Sequence, residues 1–332
     1  MAVQNYKYSL SPDAELSEYF LSKAQEELHE KPSHVQAHIT SLRRWVASMP
    51  HLKCPDDDRV YKAFLRHSKY QHSRAQAKMD NFATLRTSEL APSSIWFKRP
   101  GKTDPSLQTY LRMGIHCPAG FLEDGTFLLI VRMGKWDAEV LSKDDLFRFA
   151  TLQIDRLIQD PRIQICGLHL LFDLSGVGST QITKLNPKKT GKEILKLLQE
   201  GYPIRIKSFI YYNEPALMDF LLKIMTHWLK PKLKDRIIRV KDDTGKAQWK
   251  IPGLKTVLPR EYDGDNRSIE EIVGDMNTVF FNEYDHPRIW DTMCVNESKR
   301  PDVAKHFMAE YKDYPERSMG IPGTYIKLPE QD

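Results

Sequence analysis

The hydrophobic positions of this chain change their period once, near residue 100. Between His34 and Phe97 they recur at helical spacing, with Leu42, Trp45, Val46 and Met49 at i, i+3, i+4 and i+7. Asp56-Asp57-Asp58 then supplies a cap and first-turn acids for a second helix carrying Val60, Phe64 and Leu65. Ala75, Met79, Phe82 and Leu85 share one stripe of a third, from Arg74 to about Ser88. An earlier helix is expected to start near Ser11-Pro12-Asp13 and to carry Leu16, Tyr19, Phe20 and Lys23. After Pro100-Gly101 the pattern turns to short apolar runs. Strands are predicted at Thr126–Met133, Ile165–Leu174, Pro203–Tyr212 and Ile237–Val240. Helices are predicted at Ser142–Gln159, at Gln181–Glu200 with a break at Pro187, and from Asn213-Glu214-Pro215 to about Leu229. Strands alternating with helices imply an α/β fold with a mainly parallel sheet. The organisation expected is a helical tail over 1–33, a helical region over 34–100, a sheet domain over 101–262 and an extension over 263–332 that packs back on the body.

Composition adds limits. The 332 residues are ample for a sizeable core, and 41% hydrophobic with 28% charged is an ordinary soluble balance. The start is polar, and no apolar run approaches the ~20 residues that span a bilayer. A cytoplasmic protein is therefore expected. Cys54, Cys117, Cys166 and Cys294 form no CxxC pair, so no structural zinc site and no other metal is expected. The net charge of +5 decides nothing until its distribution is known.

The usual catalytic constellations are missing from the sequence. The first βα turn has no GxGxxG, and Gly176-Val-Gly178-Ser-Thr180 lacks the lysine and spacing of a P-loop. There is no GxSxG elbow and no HExxH. Asp173 beside Ser175 is the best carboxylate for acid/base work, although turn capping is the commoner use of such a pair at a strand end. No enzyme activity and no cofactor are expected.

Three neighbouring features suggest a binding function instead. Alternation over Pro203–Tyr212 puts Ile204, Ile206, Ser208, Ile210 and Tyr212 on one face of a strand, and Arg205, Lys207, Phe209 and Tyr211 on the other. A central parallel strand is normally apolar on both faces, so the two cations belong at a rim; snorkelling at the sheet edge accounts for them equally. The following helix carries a broad apolar stripe of Leu217, Met218, Leu221, Leu222, Ile224, Met225, Trp228 and Leu229. It reads as a core helix or as a lid over an apolar molecule. Lys230-Pro-Lys232-Leu-Lys234-Asp-Arg236 comes next. Together with Arg205 and Lys207 it makes a candidate docking site for anionic lipid headgroups, at roughly 1 kcal/mol per cation near a surface. Nucleic acid is not expected, because these cations lie beside an amphipathic helix and on no recognised nucleic-acid motif.

These stretches resemble the CRAL-TRIO family. Tyr202-Pro-Ile-Arg-Ile-Lys-Ser-Phe-Ile-Tyr-Tyr-Asn-Glu-Pro215 matches its "YP-hydrophobic-basic…NEP" strand and turn. Leu229 to Ile237, Leu258-Pro-Arg-Glu-Tyr262 and Gly167 to Val177 are similar to further motifs, with Asp263 where the family has a glycine. The closing Gly320 to Leu328 is similar to insect members. The resemblance implies a helical lead-in followed by a lipid-binding domain with a mobile gate helix after "NEP". It implies intracellular binding and transfer of a hydrophobic lipid of retinoid, carotenoid or tocopherol class, with transient peripheral membrane association. The alternative is a phosphoinositide- or phospholipid-responsive trafficking or scaffold protein. Implied ligand-binding residues are Phe172, Leu174, Ile206, Ser208 and Ile210, with Met218, Leu221, Leu222, Met225 and Leu229 on the gate side. Implied phosphoinositide-binding residues are Arg205, Lys207, Lys232 and Arg236. One further basic position of the family corresponds to Ser68 here, next to Lys69.

Overall fold

A computed structural model describes residues 10–215, 226–241, 243–286, 288–302 and 304. Met218, Leu221, Leu222 and Met225 lie outside the described residues, as does the segment 320–328.

A five-stranded sheet forms the centre. Its strands β2 (His116–Phe121), β3 (Phe127–Arg132), β4 (Leu168–Asp173), β5 (Ile206–Tyr212) and β6 (Ile237–Val240) lie side by side in chain order. β3 to β6 are parallel, and β2 runs antiparallel to β3. A separate two-residue ribbon pairs β1 (Leu52–Lys53) with β7 (Cys294–Val295). Helices α6 (Lys143–Leu157) and α7 (Pro161–Cys166) connect β3 to β4, and α8 (Ser179–Leu185) and α9 (Pro187–Lys196) connect β4 to β5.

The two sheet faces belong to different apolar clusters, because side chains alternate along each strand. Leu129, Leu168, Leu170, Ile206 and Phe209 pack with α6 and with Ile39, Val60, Phe64, Met79 and Phe82 of the N-terminal helices. Those residues come from α2 (Pro32–Ala47), α3 (Asp58–His67) and α4 (His72–Thr87). Leu128, Ile130, Leu171 and Ile210 face the opposite side, where Ala247, Leu254, Ile272 and Met276 cover them. Buried ion pairs tie distant segments together. Asp80 accepts from Arg300 at 2.7 Å and contacts His51 at 2.8 Å, and Asp155 accepts from Arg86 at 2.8 Å and from Arg99.

The predicted strands at β3, β5 and β6 and the break before Pro187 are present. Three local differences have physical causes. The expected strand from Ile165 starts only at Leu168, because Asp160 caps a helix that ends at Gly167 with φ 95°. The first helix does not start at Ser11, whose N–H is held by the Asp160 carboxylate at 3.0 Å; α1 instead runs Glu18–Leu28. Strand β2 is absent from the periodicity reading because its sequence is His-Cys-Pro-Ala-Gly-Phe. An edge strand tolerates Pro118, and Gly120 sits at a bulge with φ 134°.

Candidate functional site

Two concavities meet at a single π-helical turn, Leu197–Gly201. Such turns recur at functional sites. The first is an apolar cavity of about 200 Å³, more than the ~150 Å³ of an engineered cavity that stays dry and accepts benzene. Its floor is the sheet, through Leu129, Val131, Leu170, Phe172, Phe209 and Tyr211. Phe172 and Tyr211 stack there, with ring centroids 5.6 Å apart. Its walls come from Phe147, Ala150 and Ile154 of α6, Ile182 and Leu185 of α8, and Ile194 and Leu198 beyond. The polar groups in the wall are largely satisfied within the protein. His116 contacts the Tyr110 hydroxyl at 2.8 Å, and burial holds its pKa down at about 4, so it is neutral. The Thr151 hydroxyl donates to the Trp96 carbonyl at 3.0 Å. Gln181 donates to the Trp136 carbonyl and accepts from the Gly178 N–H. The Tyr211 phenol is the exception, with no hydrogen-bond partner among the described residues, and burial raises its pKa.

The second concavity is a cationic cleft of about 650 Å³. Lys69, Arg74, Lys78, Arg205, Lys207, Lys230, Lys232 and Arg236 line it, with Glu200 the one acid among the lining residues. Glu200 already pairs with Lys230. Lys69 stands in the wall because it and Tyr70 take left-handed backbone, with φ 53° and 59°. Both directly follow the C-cap Ser68 of α3, a place where left-handed residues commonly end a helix. The cations crowd one another. The charge of Arg236, then burial, then Lys69, Arg205 and Arg74 lower the pKa of Lys232. Burial and then Arg205 lower those of Lys207 and Arg236. Burial, then Lys78, Arg205 and Lys230, push His67 well below the usual histidine range, so it stays neutral in this wall. The Ser68 hydroxyl in the same wall is buried without a partner among the described residues. Leu198 lines both the cavity and the cleft.

A third, polar groove of about 810 Å³ lies at the far ends of β3 to β5. It holds Asp173, whose carboxylate accepts from the Tyr262 hydroxyl at 2.6 Å and the Ser175 N–H at 2.9 Å. The Ser175 hydroxyl accepts from Asn213 at 3.0 Å. Asp173 therefore caps the turn and anchors Tyr262, and among the described residues no base contacts the Ser175 hydroxyl.

The structure distributes the sequence-named residues unevenly. Arg205, Lys207, Lys232 and Arg236 come together in the cleft, with Ser68 and Lys69 beside them. Phe172 and Leu174 lie in the cavity wall. The facing expected for β5 needs correction. Leu168 pairs with Ile206 but His169 pairs with Ser208, so Lys207 is an extra residue in the register. This bulge turns Ile206, Phe209 and Tyr211 to the cavity side, and Ser208 and Ile210 to the other. Ile206 lines the cleft, Ser208 contacts His169 at 2.7 Å, and Ile210 packs with Leu171. Leu229 is buried in the main core and is not among the cavity-lining residues. As ligand contacts, sequence reasoning names none of the α6 and α8 walls, nor Leu129, Val131, Phe209 and Tyr211 of the floor; α6 carries the clearest signal. Its signal, Phe147, Ala150 and Ile154 at i, i+3 and i+7, was open to reading.

The fold and the cavity define an α/β binding module with an apolar pocket on one sheet face. Residues 111–264 match the CRAL/TRIO domain. The chain is 28% identical to mouse (Mus musculus) "Alpha-tocopherol transfer protein-like" over 270 residues, 80% of this chain and 74% of that one. It is 27% identical to human (Homo sapiens) "Clavesin-2" over 253 residues, 76% of this chain and 75% of that one. The crystal structure of Sfh5 superposes with a TM-score of 0.47 at 13% identity, covering 65% of this chain and 78% of that one. No helix among the described residues is long and apolar enough to cross a membrane.

Proposed function

We propose that the protein holds one hydrophobic lipid in the apolar cavity and exchanges it with membranes whose anionic headgroups meet the cationic cleft. The observation that carries this reading is the shared wall at Leu198, which joins an apolar pocket to a cluster of cations. A lipid of retinoid, carotenoid or tocopherol size exceeds the about 200 Å³ of the cavity as described, so this reading requires the cavity to widen on binding; full enclosure would remove roughly 400 Å² of apolar surface from water, on the order of 10 kcal/mol before losses at ~25 cal/mol per Å². A bilayer offers nearly the same gain. Exchange is then close to balanced, and a few charge contacts can set its direction.

In this reading Phe172, Leu174, Phe209 and Tyr211 touch the lipid, and Met218, Leu221, Leu222 and Met225 form the gate over it. Arg205, Lys207, Lys232 and Arg236 bind phosphoinositide headgroups during transient contact with the membrane. The likeness to a protein named for tocopherol transfer supports the carrier role. Replacing Arg205 and Lys207 by glutamate is expected to slow lipid delivery to anionic vesicles and to leave the lipid content of the protein unchanged. Equal delivery rates would refute the cleft's role. Native mass spectrometry with organic extraction tests the cargo: a retinoid, carotenoid or tocopherol supports the carrier, and a bound phospholipid supports a phospholipid-responsive trafficking or scaffold role.

A further inference from the structure

Helix α1 precedes the matched domain and docks on it through a small apolar cluster. Ala24 and Leu28 are buried against Ile165 and Cys166 at the end of α7. This seat brings Glu27, near the last turn of α1, to the rim of the cationic cleft. Its carboxylate accepts from the Arg205 guanidinium at 2.7 Å and lies 3.6 Å from the Lys207 ammonium. Burial opposes ionisation of Glu27, but the Arg205 hydrogen bond and the charges of Lys207, Arg205 and Lys23 outweigh it and lower the carboxyl pKa. One internal anion thus already offsets one of the two positive charges of Arg205 and Lys207. Lys232 and Arg236 have no acidic partner among the described residues.

We infer that Glu27 is a built-in competitor, a filter that a polyanionic lipid headgroup has to displace and a singly charged one does not. This rests on reading the cleft as the membrane contact. A headgroup with one charge can bind at Lys232 and Arg236, where nothing has to be displaced, and leave Glu27 on Arg205 and Lys207. A headgroup with several phosphate charges gains all four cations only by spanning both pairs, and so has to displace Glu27. The exchange asks little of the fold. Glu27 is one-third exposed, with a side-chain accessibility of 34%, and such ion pairs are individually weak. The apolar seat of Ala24 and Leu28 stays in place while the carboxylate swings away.

Glu27→Gln tests this, because the amide keeps an oxygen for Arg205 and removes only the charge. Binding is measured to phosphatidylcholine vesicles carrying either phosphatidylserine or phosphatidylinositol bisphosphate, matched in total charge. Binding to bisphosphate vesicles should rise about fivefold, the factor for one charge near an anionic surface. Binding to phosphatidylserine vesicles should rise by less than about half of that factor, so the preference for the polyanion grows. An equal change on both vesicles, or no change in wild-type preference, overturns the filter while leaving the cleft reading intact. A fall on both vesicles with a lower melting temperature makes Glu27 a structural tie, and this too overturns it. Wild-type protein that binds neither vesicle refutes the cleft reading and the filter together. Binding of soluble inositol phosphates without binding to either vesicle does the same, since the site would then serve free phosphates.

Discussion

The cavity and the cleft share a wall and differ in what holds them together. The cavity is apolar and mostly satisfied within itself, so its energetics follow area and shape, and salt hardly touches them. The cleft is a set of like charges held close by the fold; burial and then Arg205 lower the pKa of Lys207 and Arg236, and Arg236 and then burial lower that of Lys232. Its energetics follow charge and fall with ionic strength. A protein that exchanges an apolar molecule at a charged surface needs both. Under the proposed function, their position on either side of one π-helical turn couples membrane contact to ligand release through the same residues.

That contrast can be broken one side at a time. The largest effect is expected from Phe172→Asp, which puts a charge on the cavity floor. Affinity for an apolar guest should fall by a hundredfold or more, about 3 kcal/mol, with vesicle binding unchanged. Co-extraction of lipid from purified protein and vesicle sedimentation check the two arms, and a parallel loss in both would show that the sites are not separable.

Acid should also act on the cavity side. His116 has its pKa lowered by burial from 6.5 to about 4. The unfolded chain therefore binds more protons between those values, so the stability contribution is full above pH 6.5 and is lost as pH falls toward 4. Between pH 7 and pH 5 the loss is on the order of 2 kcal/mol, read as a shift in urea midpoint. His116→Asn should reduce this dependence. The lysines and arginines of the cleft keep their charge throughout, so vesicle binding by protein still folded at pH 5 should be nearly unaltered.

On the cleft side, Lys232→Gln removes a cation with no acidic partner among the described residues. Binding to anionic vesicles should weaken by about 1 kcal/mol, roughly fivefold, and the difference should shrink at high salt. A salt-independent change would mean that Lys232 acts through packing. The smallest effect is expected at Tyr211→Phe. If the guest carries a polar end that meets this hydroxyl, affinity falls by about 0.5–1.5 kcal/mol, and a pure hydrocarbon guest is unaffected.

Much of the architecture is legible in the chain. Apolar runs bounded by turn residues announce β3, β5 and β6, and the alternation of strands with helices implies their parallel order. The cations of the cleft are visible too, because Arg205 and Lys207 are out of place in a central strand and Lys230 to Arg236 is dense in charge. Other features are less legible. Pro118 and Gly120 disguise β2, and the cap at Asp160 converts the start of an apparent strand into the last turn of α7.

Periodicity by itself determined that this chain builds a parallel sheet with helical crossovers, and that cations gather at one end of β5. It could do so because burial imposes a period on each element and charge is local to a residue. Only the tertiary structure decided which face of β5 meets the cavity. One extra residue at Lys207 shifts the register against β4, and a shift of one residue exchanges the two faces. The tertiary structure alone also set Glu27 against Arg205, across 178 residues of sequence. Such a contact depends on where a whole helix is seated, which no local pattern encodes.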